Sequence, residues 1–372
     1  MNALVQLQRT GIRVLCLAIL PALTAAPAAA QAGGEGDVPL ADRLTAAVEA
    51  LRTHQDTSGV AGLSAAIAVD GRLVWSGGFG YADLQHRVEA GPATVSRIGS
   101  ISKPVAAVAA MALWDRGMLD LDTPIRTYLP DYPAANAHVT MRQLMSHTAG
   151  VRHYRGDEFM SNEAYTDVVS PMAVFWEDPL LFEPGTDYNY STYGWTVVSA
   201  VTEAADGRRP WVDILYDEVI HPLGLLHMQP EWQDSVIPHH ASFYMLDREA
   251  GVRTNAPEVD QSNKWAGGGL VATTADLVNF ALGVMNGTVL SDEARAEMWR
   301  KQTPAGESSY GLGWNVGEID GRRVVSHSGG SVGATAMLVL LPDHGIAVAV
   351  LGNTSGVSHA GIARRVTRIL LD

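Results

Sequence analysis

An α+β fold is predicted, in which an antiparallel sheet is flanked by helices and a mostly helical lobe is inserted between its two halves. Three observations lead there. Strand-like runs early in the chain flank an Asp-Gly pair, short apolar runs separated by Gly, Pro and Asp return near its end, and the segment between carries helical periodicity. Strands at both ends with helices between suit a sheet completed by the two termini. This divides the chain into an α/β lobe of about 39–95 and 265–372 and a helical lobe of about 96–264.

The first 30 residues are a separate object. Arg9 and Arg13 precede an apolar stretch from Val14 to Ala26, and Ala28-Ala29-Ala30 gives a small-residue cleavage pattern before Gln31. This reads as a secretory signal peptide. Its apolar run is short for a membrane span and is interrupted by Pro21, with Pro27 just beyond it, so cleavage is expected rather than stable membrane insertion. The expected location is periplasmic or secreted. Cys16 is the only cysteine; removal of the peptide would leave no thiol for a disulfide, a nucleophile or a metal site. Residues 31–38, rich in Gly and acids, read as a linker.

The elements follow in order. Leu44, Val48 and Leu51 mark a helix over 40–54, and Leu63–Val69 and Arg72–Ser76 flank Asp70-Gly71 as a hairpin. An Ala-rich apolar helix runs from Ser102 to Arg116 and closes at Gly117. Further helices are expected at 140–147, 192–205, 210–219 and 273–286, the last capped by Thr273 or Thr274. Val324-Val325, Ala336–Leu341 and Ile346–Leu351 read as strands, Pro342–Gly345 as a turn, and 357–371 as a closing helix.

Composition excludes some functions. The chain has 372 residues, 47% of them hydrophobic, and a formal charge of −14 without basic tracts. Nucleic acid and anionic lipid are therefore poor partners, and a small-molecule or peptide substrate is expected. His239-His240 is adjacent rather than spaced for one metal face, so no metal and no other cofactor is expected.

Chemistry centres on Ser100-Ile101-Ser102-Lys103. Serine is a weak nucleophile and needs a nearby base. Positions i and i+3 share a helix face, which sets the Lys103 amine beside the Ser100 hydroxyl. Pro104 agrees with a helix start there. The lysines are Lys103, Lys264 and Lys301, and an apolar helix is a poor place for one unless its charge is used. Tyr190-Ser191-Thr192 precedes a helix and could bring a phenol to the pair. His327-Ser328-Gly329-Gly330 follows a strand-like run, where glycines permit close approach to a sheet edge. His147 sits at a helix end and suits structural hydrogen bonds. His153, Tyr154 and Trp265 could border a pocket or pack in the core.

Together these motifs resemble the active-site set of the serine β-lactamase and penicillin-binding superfamily: S-x-x-K, a Y-x-N-like element, then K/H-[ST]-G. Their order and spacing resemble the class C branch. The stretches SISKP, GVRHY, YSTYGW and NKWAGGGL are most similar to the mitochondrial-type β-lactamase-like serine hydrolases and their bacterial relatives, and the likeness covers about residues 40–370. The resemblance implies Ser100 as nucleophile, Lys103 and Tyr190 as proton carriers, and the backbone N–H groups of Ser100 and Gly330 as an oxyanion hole. It also implies substrate contacts at Thr192, His327, Ser328 and Gly329. Thr192 and His327 replace the Asn and Lys usual in lactamases of this branch, which favours a peptidase or esterase over efficient β-lactam turnover. A D,D-carboxypeptidase or weak β-lactam-binding enzyme, and a non-catalytic binding or assembly protein retaining the fold, are the alternatives.

Overall fold

The computed structural model describes residues 38–136 and 138–372. The expected signal peptide and nearly all of the expected linker lie outside them. From Val38 onward the chain is one compact unit.

A seven-stranded antiparallel sheet forms its frame. Its members are β1 (Gly62–Val69), β2 (Arg72–Asp83), β3 (Val88–Glu89), β4 (Asn315–Ile319), β5 (Arg322–Ser331), β6 (Ala334–Leu341) and β7 (Ile346–Gly352), in the order β3-β2-β1-β7-β6-β5-β4. The two ends of the chain meet mid-sheet, where Leu63 of β1 faces Gly352 of β7 and Ala68 faces Ala347. Asp70 and Gly71 both take positive φ, 51° and 72°, as a tight hairpin matched to strand twist requires.

Helices cover both faces of the sheet. On one face α1 (Leu40–Ser58) and α5 (Ala360–Leu371) pack over Leu63, Ile67, Val348 and Val350. On the other, Ala66, Ala68, Leu338 and Ala349 meet a core that holds α2 (Ser102–Asp115) and α3 (Thr192–Ala205) of the inserted segment together with α4 (Thr274–Met285). Every residue of α2 from Ser102 to Leu113 is buried. A helix enclosed on all sides needs small residues for close approach, and its alanines supply them.

The structure corrects several element expectations. The inserted segment is less helical than expected: among the described residues from 148 to 191 there is no α-helix, only the 3-10 turns Gly156–Met160 and Ser170–Val174. Pro171, Pro179 and Pro184, with Gly150 and Gly185 at positive φ, break it. The helix expected at 210–219 is α-helical only over Trp211–Leu215 and then widens into a π turn. The strand expected at Val324-Val325 is ten residues long and contains the whole His-Ser-Gly-Gly motif.

Candidate active site

Two glycines allow the chain around Ser100 to lie against the sheet. Ser100 occupies a 3-10 turn, Gly99–Ile101, that leads directly into α2. Gly99 has φ 50°, and a Cβ there would come within 2.6 Å of the Gly330 carbonyl oxygen. A Cβ on Gly329 would come within 2.0 Å of the Ile98 carbonyl oxygen. Only glycine permits this contact on either side. Ser102, the other serine of the motif, is fully buried; its hydroxyl donates to the Gly99 carbonyl at 2.7 Å and accepts from the Leu270 N–H at 3.2 Å. It ties the turn together, while Ser100 faces the cleft.

Lys103 is completely buried, with Nζ 3.0 Å from Ser100 Oγ, 3.2 Å from Thr192 Oγ1 and in a short contact with the Gly267 carbonyl. Nζ also lies 4.8 Å from the centre of the Tyr190 ring. Burial, with the positive charge of Lys264 second, holds its pKa well below the usual lysine range. A neutral amine has two N–H bonds and one lone pair. The Gly267 carbonyl can only accept, and Thr192 Oγ1 can accept the second N–H, so the lone pair is left for the proton of Ser100.

Tyr190 brings its phenol to Ser100, and burial raises the phenol's pKa above the usual range. The backbone directly after it is held by two histidines: the Ser191 N–H donates to His147 Nδ1 at 3.0 Å and the Thr192 N–H to His153 Nδ1 at 3.3 Å. The His147 ring lies 4.2 Å from the Tyr190 ring and 4.8 Å from that of Tyr310. Burial keeps both histidines neutral, as their acceptor role requires, with Lys103 adding to the effect; His153 falls to about 4.

The cleft in front of Ser100 has a volume of about 310 Å³ and is walled by His153, Tyr154, Thr192, Lys264, Gly330 and Ser331, among others. Thr192 and Gly330 thus line the cleft. His327, Ser328 and Gly329 do not line it. Alternation along β5 turns His327 and Gly329 onto the buried face and Ser328 out to solvent on the other. His327 Nδ1–H donates to the Ser328 carbonyl at 2.6 Å, so Nε2 accepts from the Tyr310 hydroxyl at 2.8 Å. Burial, with Lys103 second, lowers the His327 pKa to about 3. It is a neutral structural residue beneath the site and supplies no cation to a substrate.

Beyond Ser326, the last β5 residue paired with β4, β5 continues to Ser331 with that edge unpaired by a strand. The edge ends at the Gly99 turn, and Gly330 is exposed there. Sequence reasoning missed the Gly267 carbonyl, Tyr310 and the cleft-facing role of Lys264. The one signal for Lys264 was lysine scarcity, since two of the chain's few lysines stand at this single site. His240 sits 3.6 Å from Glu231, which is already paired with Arg97. Trp265 is buried against Trp232, with ring centres 4.6 Å apart.

A sheet with helices on both faces, and a serine–lysine pair at a helix start beside the unpaired stretch of β5, define a β-lactamase-type serine hydrolase. The chain belongs to the β-lactamase family, whose profile matches residues 45–371. It is 30% identical to the human mitochondrial serine β-lactamase-like protein LACTB, over 79% of this chain and 71% of that one. It is 29% identical to penicillin-binding protein 4 of Amycolatopsis lactamdurans, over 82% of this chain and 83% of that one. Among solved structures, a D-stereospecific amidohydrolase from Streptomyces superposes with a TM-score of 0.74 at 26% identity, covering 86% of this chain and 96% of that one. The octameric penicillin-binding protein homologue from Pyrococcus abyssi shares the fold at a TM-score of 0.76, 24% identity, and 90% and 78% coverage.

Proposed function

We propose that this serine hydrolase works through an acyl-enzyme on amide, peptide or ester bonds, with Ser100 as nucleophile and Lys103 as general base. The observation that carries the reading is the 3.0 Å approach of a fully buried, acid-free lysine amine to Ser100 Oγ. Environment pushes the two candidate bases apart: Lys103 downward and Tyr190 upward. Both shifts favour the uncharged forms, and of the two it is the amine that takes the serine proton.

Ser100 Oγ then adds to the substrate carbonyl while its proton moves to Lys103 Nζ. The backbone N–H groups of Ser100 and Gly330 receive the negative oxygen. Collapse breaks the bond to the leaving group, which takes its proton from Lys103 by way of Tyr190. Water, giving a proton back along the same path, attacks the acyl-enzyme and restores Ser100. The free edge of β5 favours amides and peptides, because it offers an extended substrate a strand to pair with.

The test is labelling by a fluorophosphonate, read as a mass increment on the peptide holding Ser100. The wild type is expected to react, and Ser100→Ala to stay folded and unlabelled; labelling that survives the substitution rejects Ser100. Fluorescent penicillin tests the D,D-carboxypeptidase reading, which the likeness to a penicillin-binding protein and a D-stereospecific amidohydrolase supports; failure to form an adduct rules it out. The charged and apolar pattern from Arg9 to Ala30 supports export, and a mature N-terminus near Gln31 on protein from the periplasm or medium is the expected result.

A further inference from the structure

We propose that Lys264 is the anion-binding residue of the cleft, and that the substrate carries a carboxylate close to the bond that Ser100 attacks. This rests on Ser100 being the nucleophile.

The chain carries a net charge of −14, yet two lysines converge on this one site. Their surroundings differ. Lys103 is sealed beneath the cleft and its Nζ has three partners. Lys264 lines the cleft, and its Nζ has one hydrogen bond, to the Phe159 carbonyl at 3.5 Å. Otherwise it lies 5.5 Å from the centre of the Tyr154 ring and 5.4 Å from that of Phe159. Among the described residues, no carboxylate oxygen lies within 4.0 Å of it. The two nearby acids are already engaged. Glu231 takes both its bonds from Arg97, at 2.8 and 2.9 Å, and Asp260 accepts from the Ser262 N–H at 2.8 Å and from its hydroxyl.

A buried cation without a counter-ion is costly. Burial and the neighbouring Arg97 lower the Lys264 pKa, and the charges of Asp260 and Glu231, neither in contact with it, hold it up, leaving it at about 8, so at neutral pH most of it is charged. With Lys264 97% buried and its ammonium short of partners, the missing anion has to come from the cleft. Its stem is fixed: it closes the 3-10 turn Ser262–Lys264, and Trp265 beside it is wedged against Trp232. Reach is adequate, because a Cβ on Gly268 would lie 4.0 Å from Lys264 Cδ and 3.8 Å from the carbonyl carbon of Gly99, next to Ser100. His327, neutral and turned beneath the sheet, cannot do this work. A carboxylate held by Lys264 and by the aromatic edges of Tyr154 and Phe159 would orient the acyl group toward Ser100.

The experiment measures kcat/KM for matched substrate pairs that differ only in a carboxylate against its primary amide. One pair places it on the acyl side, a p-nitrophenyl monoester of glutaric acid against that of glutaramic acid. The other places it on the leaving side, an N-acyl dipeptide against its C-terminal amide. The wild type is expected to prefer the carboxylate in one pair. Lys264→Met is expected to lower that preference by about 10- to 100-fold, the value of a hydrogen bond to a charged group, chiefly through KM. Lys264→Arg is expected to retain part of it. A wild type with no preference in either pair overturns the proposal. So does a Lys264→Met variant that loses activity equally on both members, since that is the signature of a purely structural tie to the Phe159 carbonyl. Fluorophosphonate labelling of Ser100, run on the same preparations, reports separately on the nucleophile.

Discussion

Replacing Lys103 by methionine separates chemistry from stability. The substitution keeps the apolar stem in its buried track and removes only Nζ. That atom contributes hydrogen bonds to Ser100, Thr192 and Gly267, worth about 1 kcal/mol each in net terms. The Gly267 carbonyl is left without its donor, a cost of about 1–3 kcal/mol. Against this, a completely buried amine is relieved of its desolvation, a gain of several kcal/mol per ion if charged and less if neutral. For a neutral amine the losses outweigh the relief by about 1–3 kcal/mol, so Lys103→Met is expected to fold with a Tm a few degrees below wild type. Loss of the base is a different matter. General-base catalysis contributes about 10²–10⁴-fold, and the labelling rate should fall by that much. The assay is the second-order rate of fluorophosphonate capture beside calorimetric unfolding. Ser102→Ala is the control: it leaves the Leu270 N–H unpaired and costs stability, but Ser100 is still labelled. A folded Lys103→Met protein that reacts within threefold of wild type would refute the serine–lysine account.

Four other outcomes are expected. The rate of Ser100 labelling should fall as pH drops through the lowered pKa of Lys103, and Lys264→Met, by removing a neighbouring positive charge, should move that limb to higher pH. Thr192→Asp sets a carboxylate beside Nζ and should restore the ammonium, giving a folded protein that is slow at neutral pH and recovers in alkali. His327 and His359 each fall to about 3 through burial, aided by Lys103 and His54 respectively; their stabilisation is present above about pH 6.5 and lost as pH falls toward 3, roughly 2 kcal/mol each by pH 5, so urea midpoints at pH 5 and 7.5 should differ and flat midpoints would contradict the burial argument. Gly329→Ala must push against the Ile98 carbonyl and should cost about 1–3 kcal/mol or more in a melt, whereas a Cβ on Gly330 meets nothing within 4 Å and Gly330→Ala should unfold near the wild-type temperature.

Local rules recovered what local chemistry decides. Asp70-Gly71 could be read as a hairpin because both residues tolerate positive φ, and Thr273 as a cap because its side chain accepts from the Asp276 N–H. Ser100 and Lys103 could be paired because one helical turn separates them. The length of β5 could not be read. Its second half is His-Ser-Gly-Gly-Ser, with no apolar alternation, because one edge there has no partner strand and its glycines face the Ile98–Gly99 backbone. A strand packed against backbone needs absent side chains, and absence carries no periodicity. The Gly267 carbonyl was equally hidden: its role depends on α2 lying beside a turn far along the sequence, and a backbone oxygen leaves no mark in residue type.

The neighbours of Lys103 explain how one fold lowers the pKa of an amine at the bottom of a cleft. A single ionised acid there would favour the ammonium and remove the base. The groups that touch Nζ are a carbonyl and two hydroxyls, with the Tyr190 ring beside it. Further out stand His147, His153 and His327, all held neutral by burial, and then Lys264, which repels a second positive charge. Histidines suit this shell better than amides or acids. Each offers a ring nitrogen that accepts from a backbone N–H or a phenol, fixing Tyr190 and β5, and none brings a negative charge. The same exclusion leaves Lys264 without a resident counter-ion. An acid close enough to pair with Lys264 would also weaken the repulsion that lowers Lys103, so the anion that satisfies the outer lysine is best supplied by a substrate, which arrives when the base is needed and leaves with the product.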